Sequence, residues 1–248
     1  MVSIAVNTSA GPVNYWNAWH EARGWLDVEL DLRRSYIPTE VASLRKAKED
    51  LKNFYMSMHS NTGALIHEID LIEKAQQYLL LSEIIIAGAL GVKELNFHLP
   101  KNINLEIHGN KLNTILQQAV SLARDNNVQL LLENNWRGSF STVKDLLWAL
   151  QKFPRIKMCF DIGHAHISHN GSETEFIEQM SPHILNAHIH DNSGQTDQHL
   201  ALGSGNINYK EIINFLINKT KINRLIIENK TEKEITLTAE VLKQIIKK

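Results

Sequence analysis

The segment 186–199, NAHIHDNSGQTDQH, sets His188, His190 and His199 beside Asp191 and Asp197. Imidazoles and carboxylates at this density are seldom needed for packing, because each costs free energy to bury without a partner. They are the donors that borderline divalent cations such as zinc or manganese select, whereas calcium prefers oxygen alone. The same residue types recur where short apolar runs end. His59 closes FYMSMH, His98 ends VKELNFH, Glu133 closes VQLLLE, Asp161 closes IKMCFD, His188 closes ILNAH and Glu228 closes RLIIE. Two further candidates follow such ends. His164 stands three residues after Asp161, and Asp197 forms a D-x-H pair with His199.

These residues are scattered over some 170 positions, so the fold must gather them. Eight short β-rich runs begin near residues 2, 25, 54, 92, 128, 156, 184 and 224. Between most of them the apolar spacing is helical, as in PTEVASLRKAKEDLKN, LIHEIDLIEKAQQYLLLSEIIIAGAL, NKLNTILQQAVSLARD and INYKEIINFLIN. The link after the first run is the least defined; NYWNAWHEAR reads as one short helix. Strands alternating with helices imply parallel pairing. Eight such repeats predict a single-domain (β/α)8 TIM barrel over 1–248, with an open doubly wound sheet as the alternative. In a barrel all strand C-termini share one face, where active sites of this fold lie.

Side-chain alternation supports convergence. Two residues before the candidates stand Ser57, Asn96, Leu131, Cys159, Asn186 and Ile226, small or polar in four cases. The opposite parity carries Met58, Phe97, Leu132, Phe160, Ala187 and Ile227, all apolar and suited to the helix-facing side. Singly, each candidate has a plain reading. His59 or His98 fits a hydrogen-bonded structural histidine, Glu133 or Glu228 a rim ion pair, and Asp197 a turn. Jointly, so many ionisable groups in one mouth would cost on the order of several kcal/mol each without a cation. The pattern therefore predicts a metal site. GSGNI reads as a turn, since it lacks the strand–loop–helix setting of a dinucleotide loop.

Composition sets outer bounds. Apolar residues make up 43% of the 248, and 26 basic residues against 27 acidic ones give a formal charge of −1. That balance exerts no global pull toward nucleic acid or membrane. A lone cysteine, Cys159, allows no internal disulfide, and the N-terminus has no signal-peptide pattern; both predict a cytoplasmic protein. No apolar run is long enough to span a bilayer. Trp16, Trp19 and Trp136 suit either a pocket lining or the packing of helix onto barrel.

The motifs LLEN, FDIGHAHI, AHIHDNSG, DQHLALGSGNI and IIEN resemble those of the xylose-isomerase-like TIM-barrel superfamily, over nearly the whole chain. That group includes sugar isomerases and epimerases and endonuclease IV. The resemblance implies two alternatives. In the one-metal isomerase pattern, Glu133, Asp161, His188 and Glu228 hold a single ion such as manganese. Glu133 and Glu228 then shuttle a proton beside a carbonyl through an enediolate, and His164 contacts substrate. In the endonuclease-IV-like pattern, three zinc ions are held by nine positions. His59, His98 and Glu133 take one, Glu133 with Asp161, His188 and Glu228 the second, and His164, Asp197 and His199 the third. The chemistry is then phosphoester hydrolysis. His59 and His98 discriminate, because the one-metal pattern does not need them, and they favour the hydrolase. The neutral charge, and the lack of long basic loops after the first strands, favour a small phosphoester or sugar phosphate over DNA. The family spacing makes His188, three before Asp191, the ligand, and leaves His190 as a rim residue.

Overall fold

The computed structural model describes residues 2–8, 27–31, 49, 56–61, 69–169 and 171–247. Trp16, Trp19, NYWNAWHEAR and all but Glu49 of the helix expected at 38–53 lie outside the described residues. Eight parallel strands close into one barrel in sequence order. They are β1 (Ser3–Asn7), β2 (Asp27–Asp31), β3 (Met56–His59), β4 (Glu94–Phe97), β5 (Gln129–Glu133), β6 (Lys157–Asp161), β7 (Ile184–Ile189) and β8 (Arg224–Ile227). Closure is made by β1 against β8, with Ser3 opposite Arg224 and Val6 opposite Ile227. The expected barrel is therefore the fold, and the open sheet is excluded.

Seven helices among the described residues surround it: α1 (Ile69–Leu90), α2 (Leu105–Asp125), α3 (Val143–Lys152), α4 (Ile162–His169), α5 (Glu173–Met180), α6 (Tyr209–Lys219) and α7 (Glu232–Ile246). None of the described helices is long and apolar enough to cross a membrane. Local chemistry sets several starts. The side chains of Asn104, Thr142 and Thr231 accept from backbone N–H groups in the first turns of α2, α3 and α7. The Asn104 cap starts α2 five residues ahead of the expected segment. Leu112, Leu116, Ala119 and Ala123 recur at the 3.6-residue period and form its buried stripe. They pack with the outward strand residues Leu95, Phe97, Leu130, Leu132, Met158 and Phe160 in one core.

The inward parity is polar almost throughout. Asn7 pairs in register with Glu29, and Glu29 with Ser57; His59 lies opposite Asn96, Glu133 opposite Cys159, and Asp161 opposite His188. All of these are buried. Bulky aliphatics fill most barrels of this kind; here a layered polar network does. At its N-terminal end, Glu94 accepts from Arg224 and Asn186, and Asp27 accepts from Ser3.

The loops after β4 and β5 are stitched together. Asn135 donates to Leu99 O and Ser139 O, and Ser139 N donates to Lys101 O at 2.7 Å. Gly138 makes this possible: its φ is +71°, and a Cβ there would lie 2.2 Å from Lys101 O. Gly138→Ala is expected to destabilise the protein by about 1–3 kcal/mol. Urea denaturation should show this as a lower midpoint with an unchanged slope.

Candidate metal centre

Glu133, the last residue of β5, is the hub of the barrel mouth. Its Oε2 lies 3.0 Å from His59 Nε2 and 3.3 Å from His98 Nε2. Its Oε1 lies 3.2 Å from His188 Nδ1 and 3.4 Å from His164 Nδ1. His188 Nδ1 is also 3.7 Å from Asp161 Oδ2 and 3.5 Å from Glu228 Oε2. Glu133, Asp161, His188 and Glu228 each bring a ligand atom within 4.8 Å of the others, as do His59, Glu133 and His188. His164 and His199 approach Asp197 Oδ2 at 3.3 and 3.1 Å through Nε2. The nine residues expected from the strand ends and loops are linked in one continuous cluster, but among the described residues only the Glu133, Asp161, His188 and Glu228 set recurs as a compact group; His188 replaces His98 beside His59 and Glu133, and His190 and Glu228 replace His164 and Asp197 beside His199. His98 and Glu228 stand one residue beyond the last paired residues of β4 and β8.

Each imidazole has one nitrogen tied back to the protein. His59 donates Nδ1–H to Ser60 O, His164 to Asn134 O and His199 to Glu228 O, at 2.9, 2.9 and 2.6 Å. His98 donates Nδ1–H to Asn135 Oδ1 at 3.1 Å. An oxygen that only accepts fixes a proton on Nδ1, so Nε2 is the nitrogen turned toward the cluster. His188 is reversed. Its Nε2–H donates to Glu29 Oε1 at 2.9 Å, which leaves Nδ1 facing Glu133, Asp161 and Glu228.

Glu29 was not among the sequence candidates. It is fully buried on β2 and also accepts from Asn7, Ser57 and Asn96. Its signal was available: it shares the inward parity with Asn7 and Ser57 but lies mid-strand rather than at a strand end. The asparagines that follow the ligand glutamates were missed as well. Asn134 exchanges two hydrogen bonds with the backbone of Asp161, and Asn229 donates to His199 O and Leu200 O. Arg137 and Lys230 reach Gln195 O and Gln198 O, pinning the loop after β7 on both sides of Asp197. Asp191 accepts from Gly203 N and Ile207 N, consistent with the turn reading of GSGNI. Trp136 is half-buried in the loop after β5, with Lys101 and Arg137 over its ring.

His190 needs correction. It is not at the rim: it is fully buried, its Nε2 lies 3.2 Å from Asp161 Oδ2, and its ring stacks on His199 at 4.2 Å. The strand continues to Ile189, and the loop beyond folds back as Asp191 bridges Leu200, covering the ring.

The electrostatics fit cations. Burial opposes ionisation of Glu133, yet the neighbouring charges of His188 and His98 hold its carboxyl well below the usual range. Burial likewise opposes ionisation of Asp161 and Asp197, and histidines overcome it in both. Burial disfavours charge on His164, but Asp161 and Asp197 push its pKa up to about 10. His190 is raised against burial by Asp161, Asp197 and Glu228. Glu133 Oε1, His188 Nδ1, His190 Nδ1 and Asp197 Oδ1 are buried without a hydrogen-bond partner among the described residues. Such orphaned atoms call for an explanation. Imidazole nitrogens and carboxylate oxygens turned toward common points are a donor set that can hold a divalent cation.

Two outcomes follow. Ligands bind metal deprotonated, and without metal His164 and His190 hold protons above the ordinary histidine range. Zinc binding near pH 7 should therefore release protons, and the apparent affinity should fall as pH is lowered. Calorimetry in buffers of different ionisation heat measures both. Glu29→Gln should lower zinc affinity about 10–100-fold, the range for losing a partner behind a ligand. A competition titration against a chromogenic chelator reads that change.

A family model described as xylose isomerase-like TIM barrel matches residues 19–246. An uncharacterized protein of Methanocaldococcus jannaschii is 32% identical over 185 residues, covering 71% of this chain and 60% of that protein. The chain thus spans about three-fifths of that relative's length. Among solved structures, a D-tagatose 3-epimerase-like protein matches with a TM-score of 0.80 at 23% identity, over 99% of this chain and 97% of that one. The IolI protein with a bound zinc atom matches at 0.77 and 17%, over 99% and 95%. D-allulose 3-epimerase from Methylomonas sp., in complex with D-allulose, matches at 0.74 and 17%, over 99% and 96%. At these identities the structural likeness is one of fold. With the family match running across nearly the whole barrel, the chain belongs to the xylose isomerase-like TIM-barrel family.

Proposed function

We propose that this chain is a divalent-metal-dependent hydrolase of a small phosphoester or sugar phosphate, with more than one ion gathered around Glu133. The observation that carries this reading is the placement of His59 and His98 on Glu133 Oε2, while Oε1 faces His188 and His164. A carboxylate approached by imidazoles at both oxygens suits a bridge between cations. A single ion on Glu133, Asp161, His188 and Glu228 needs neither His59 nor His98.

In this assignment His59, His98 and Glu133 hold one zinc ion, and Glu133, Asp161, His188 and Glu228 a second. His164, Asp197 and His199 hold a third. Bound ions would supply Lewis-acid polarisation of a phosphoryl oxygen and of the attacking water. The residues do the rest. The Nδ1–H bonds of His59, His98, His164 and His199, and the Nε2–H bond of His188, orient the donors before ligand arrives. His59, Asp161 and His188 lie at 0% exposure and keep bulk water from the deep positions. The Asp197 and His199 side chains are 22% and 16% exposed, so substrate approaches past the loop after β7. The near-neutral chain suits a small phosphorylated or sugar substrate better than nucleic acid.

A second reading has its own support. Glu133, Asp161, His188 and Glu228 form a compact four-residue group, and proteins of the same fold include epimerases, one of them in complex with D-allulose. With one ion such as manganese there, Glu133 and Glu228 would exchange a proton with a sugar or sugar phosphate, with His164 against the substrate. It leaves His59 and His98 without a task, which is why it ranks second.

Metal content separates the two. Protein purified without chelator should carry two or three zinc ions per chain by elemental analysis. It should hydrolyse small phosphoesters, and His59→Ala combined with His98→Ala should remove at least one ion and the hydrolysis. A single ion unaffected by that double substitution would sink the hydrolase. Loss of ketose epimerisation in Glu228→Gln, with metal retained, would establish the isomerase instead.

A further inference from the structure

We propose that His190 is itself a metal ligand, binding through Nδ1 together with His199 and Glu228. The inference rests on the multi-ion reading above and redraws its third position, placing His190 and Glu228 beside His199. His190, His199 and Glu228 each bring a ligand atom within 4.8 Å of the other two.

The ring nitrogens explain why a cation belongs there. His190 Nε2 lies 3.2 Å from Asp161 Oδ2, and its Nδ1 is buried with no hydrogen-bond partner among the described residues. A neutral ring that donates Nε2–H to Asp161 leaves a bare buried lone pair on Nδ1. The other tautomer leaves a bare N–H there and opposes a lone pair to a carboxylate. The cation leaves the same bare N–H. Each state strands a buried polar atom. An ion on Nδ1, with Nε2–H on Asp161, strands none.

That arrangement repeats the one two residues earlier. His188 and His190 sit at inward positions at the end of β7. His188 gives Nε2–H to Glu29 and turns Nδ1 to the cluster; His190 gives Nε2–H to Asp161 and has Nδ1 open. A carboxylate behind the far nitrogen is the usual support of a metal-bound histidine. The backbone makes room for the ring at Gly163, where a Cβ would lie 2.0 Å from His190 Cε1.

The test uses the full chain loaded with zinc chloride, or with cobalt(II) chloride as a spectroscopic probe. His190→Gln keeps an amide that donates toward Asp161 but offers a poor ligand. It should lose one zinc ion per chain relative to the unsubstituted protein. His190→Cys replaces the ring by a thiolate ligand. Loaded with cobalt(II), it should gain near-ultraviolet thiolate-to-cobalt absorption beyond any contribution of Cys159 in the unsubstituted protein. That signal requires coordination at position 190 and is not produced by a packing role. If His190→Gln does not fold, the His190→Cys spectrum decides alone. Unchanged zinc content in a folded His190→Gln, or no added absorption in His190→Cys, overturns the inference. If the unsubstituted protein holds one ion, the multi-ion reading fails first, and the ion count records that separately from the cobalt spectrum.

Discussion

The structure turns on one carboxylate. Glu133 is buried at the end of β5 with imidazoles within 3.5 Å of both of its oxygens. A carboxylate removed from water must be neutralised, or the desolvation cost is of order several kcal/mol. The residues that answer Glu133 come from β3, β7, α4 and the residue after β4. They meet because parallel closure brings every strand C-terminus to one face. The barrel is therefore more than a scaffold near the site. Its closure, with Ser3 against Arg224, holds the ring whose mouth would otherwise splay.

The need for charge balance runs down the lumen as well. Beneath Glu133 and His188, Glu29 collects donors from Asn7, Ser57, Asn96 and His188. Beneath that layer, Glu94 is satisfied by Arg224 and Asn186. An aliphatic plug would pack as densely but would give His188 no acceptor for Nε2–H. Buried polar networks are costly when partly satisfied and rigid when complete. Among the described residues, Glu133 Oε1, His188 Nδ1, His190 Nδ1 and Asp197 Oδ1 lack hydrogen-bond partners at the mouth, and the amide oxygens of Asn96 and Asn186 lack them deeper in the lumen. The deeper Glu29 layer has a partner for both of its carboxylate oxygens. The carboxylates of the deeper layers are met by donors, while the mouth leaves imidazole nitrogens and carboxylate oxygens, the atoms able to bind a cation, without hydrogen-bond partners among the described residues.

Much of this was legible in the sequence because strand alternation is a strict period of two. Ser57, Asn96, Cys159 and Asn186 on one parity, and Met58, Phe97, Phe160 and Ala187 on the other, separate lumen from helix interface without a structure. The strand-end rule found His59, Glu133 and Asp161, and also Glu228, which stands just past its strand. It passed over Glu29 because that residue lies in the middle of β2 and not at its end. His190 was misplaced for a different reason. Alternation put it inward, but whether an inward residue at a strand end faces solvent depends on the following loop. That loop returns over it through the Asp191–Leu200 bridge, a contact no local period encodes. The asparagines after Glu133 and Glu228 were invisible for the same reason, since their partners lie on other loops.

Within this family fold, the number of ions that the mouth suits follows from what surrounds the carboxylates. Glu133, Asp161, Asp197 and Glu228 bring four formal negative charges into one cluster. One divalent ion offsets half of that and leaves the rest to protonated imidazoles; two ions offset all of it and release those protons. His59, His98, His164, His190 and His199 add donors without adding charge, so each raises the capacity for cations while keeping the balance. The excess of imidazole over carboxylate is the feature on which the proposed multi-ion reading rests. It also explains why the same four carboxylate and histidine positions on β5 to β8 suit either chemistry, and why the choice falls to the histidines around them.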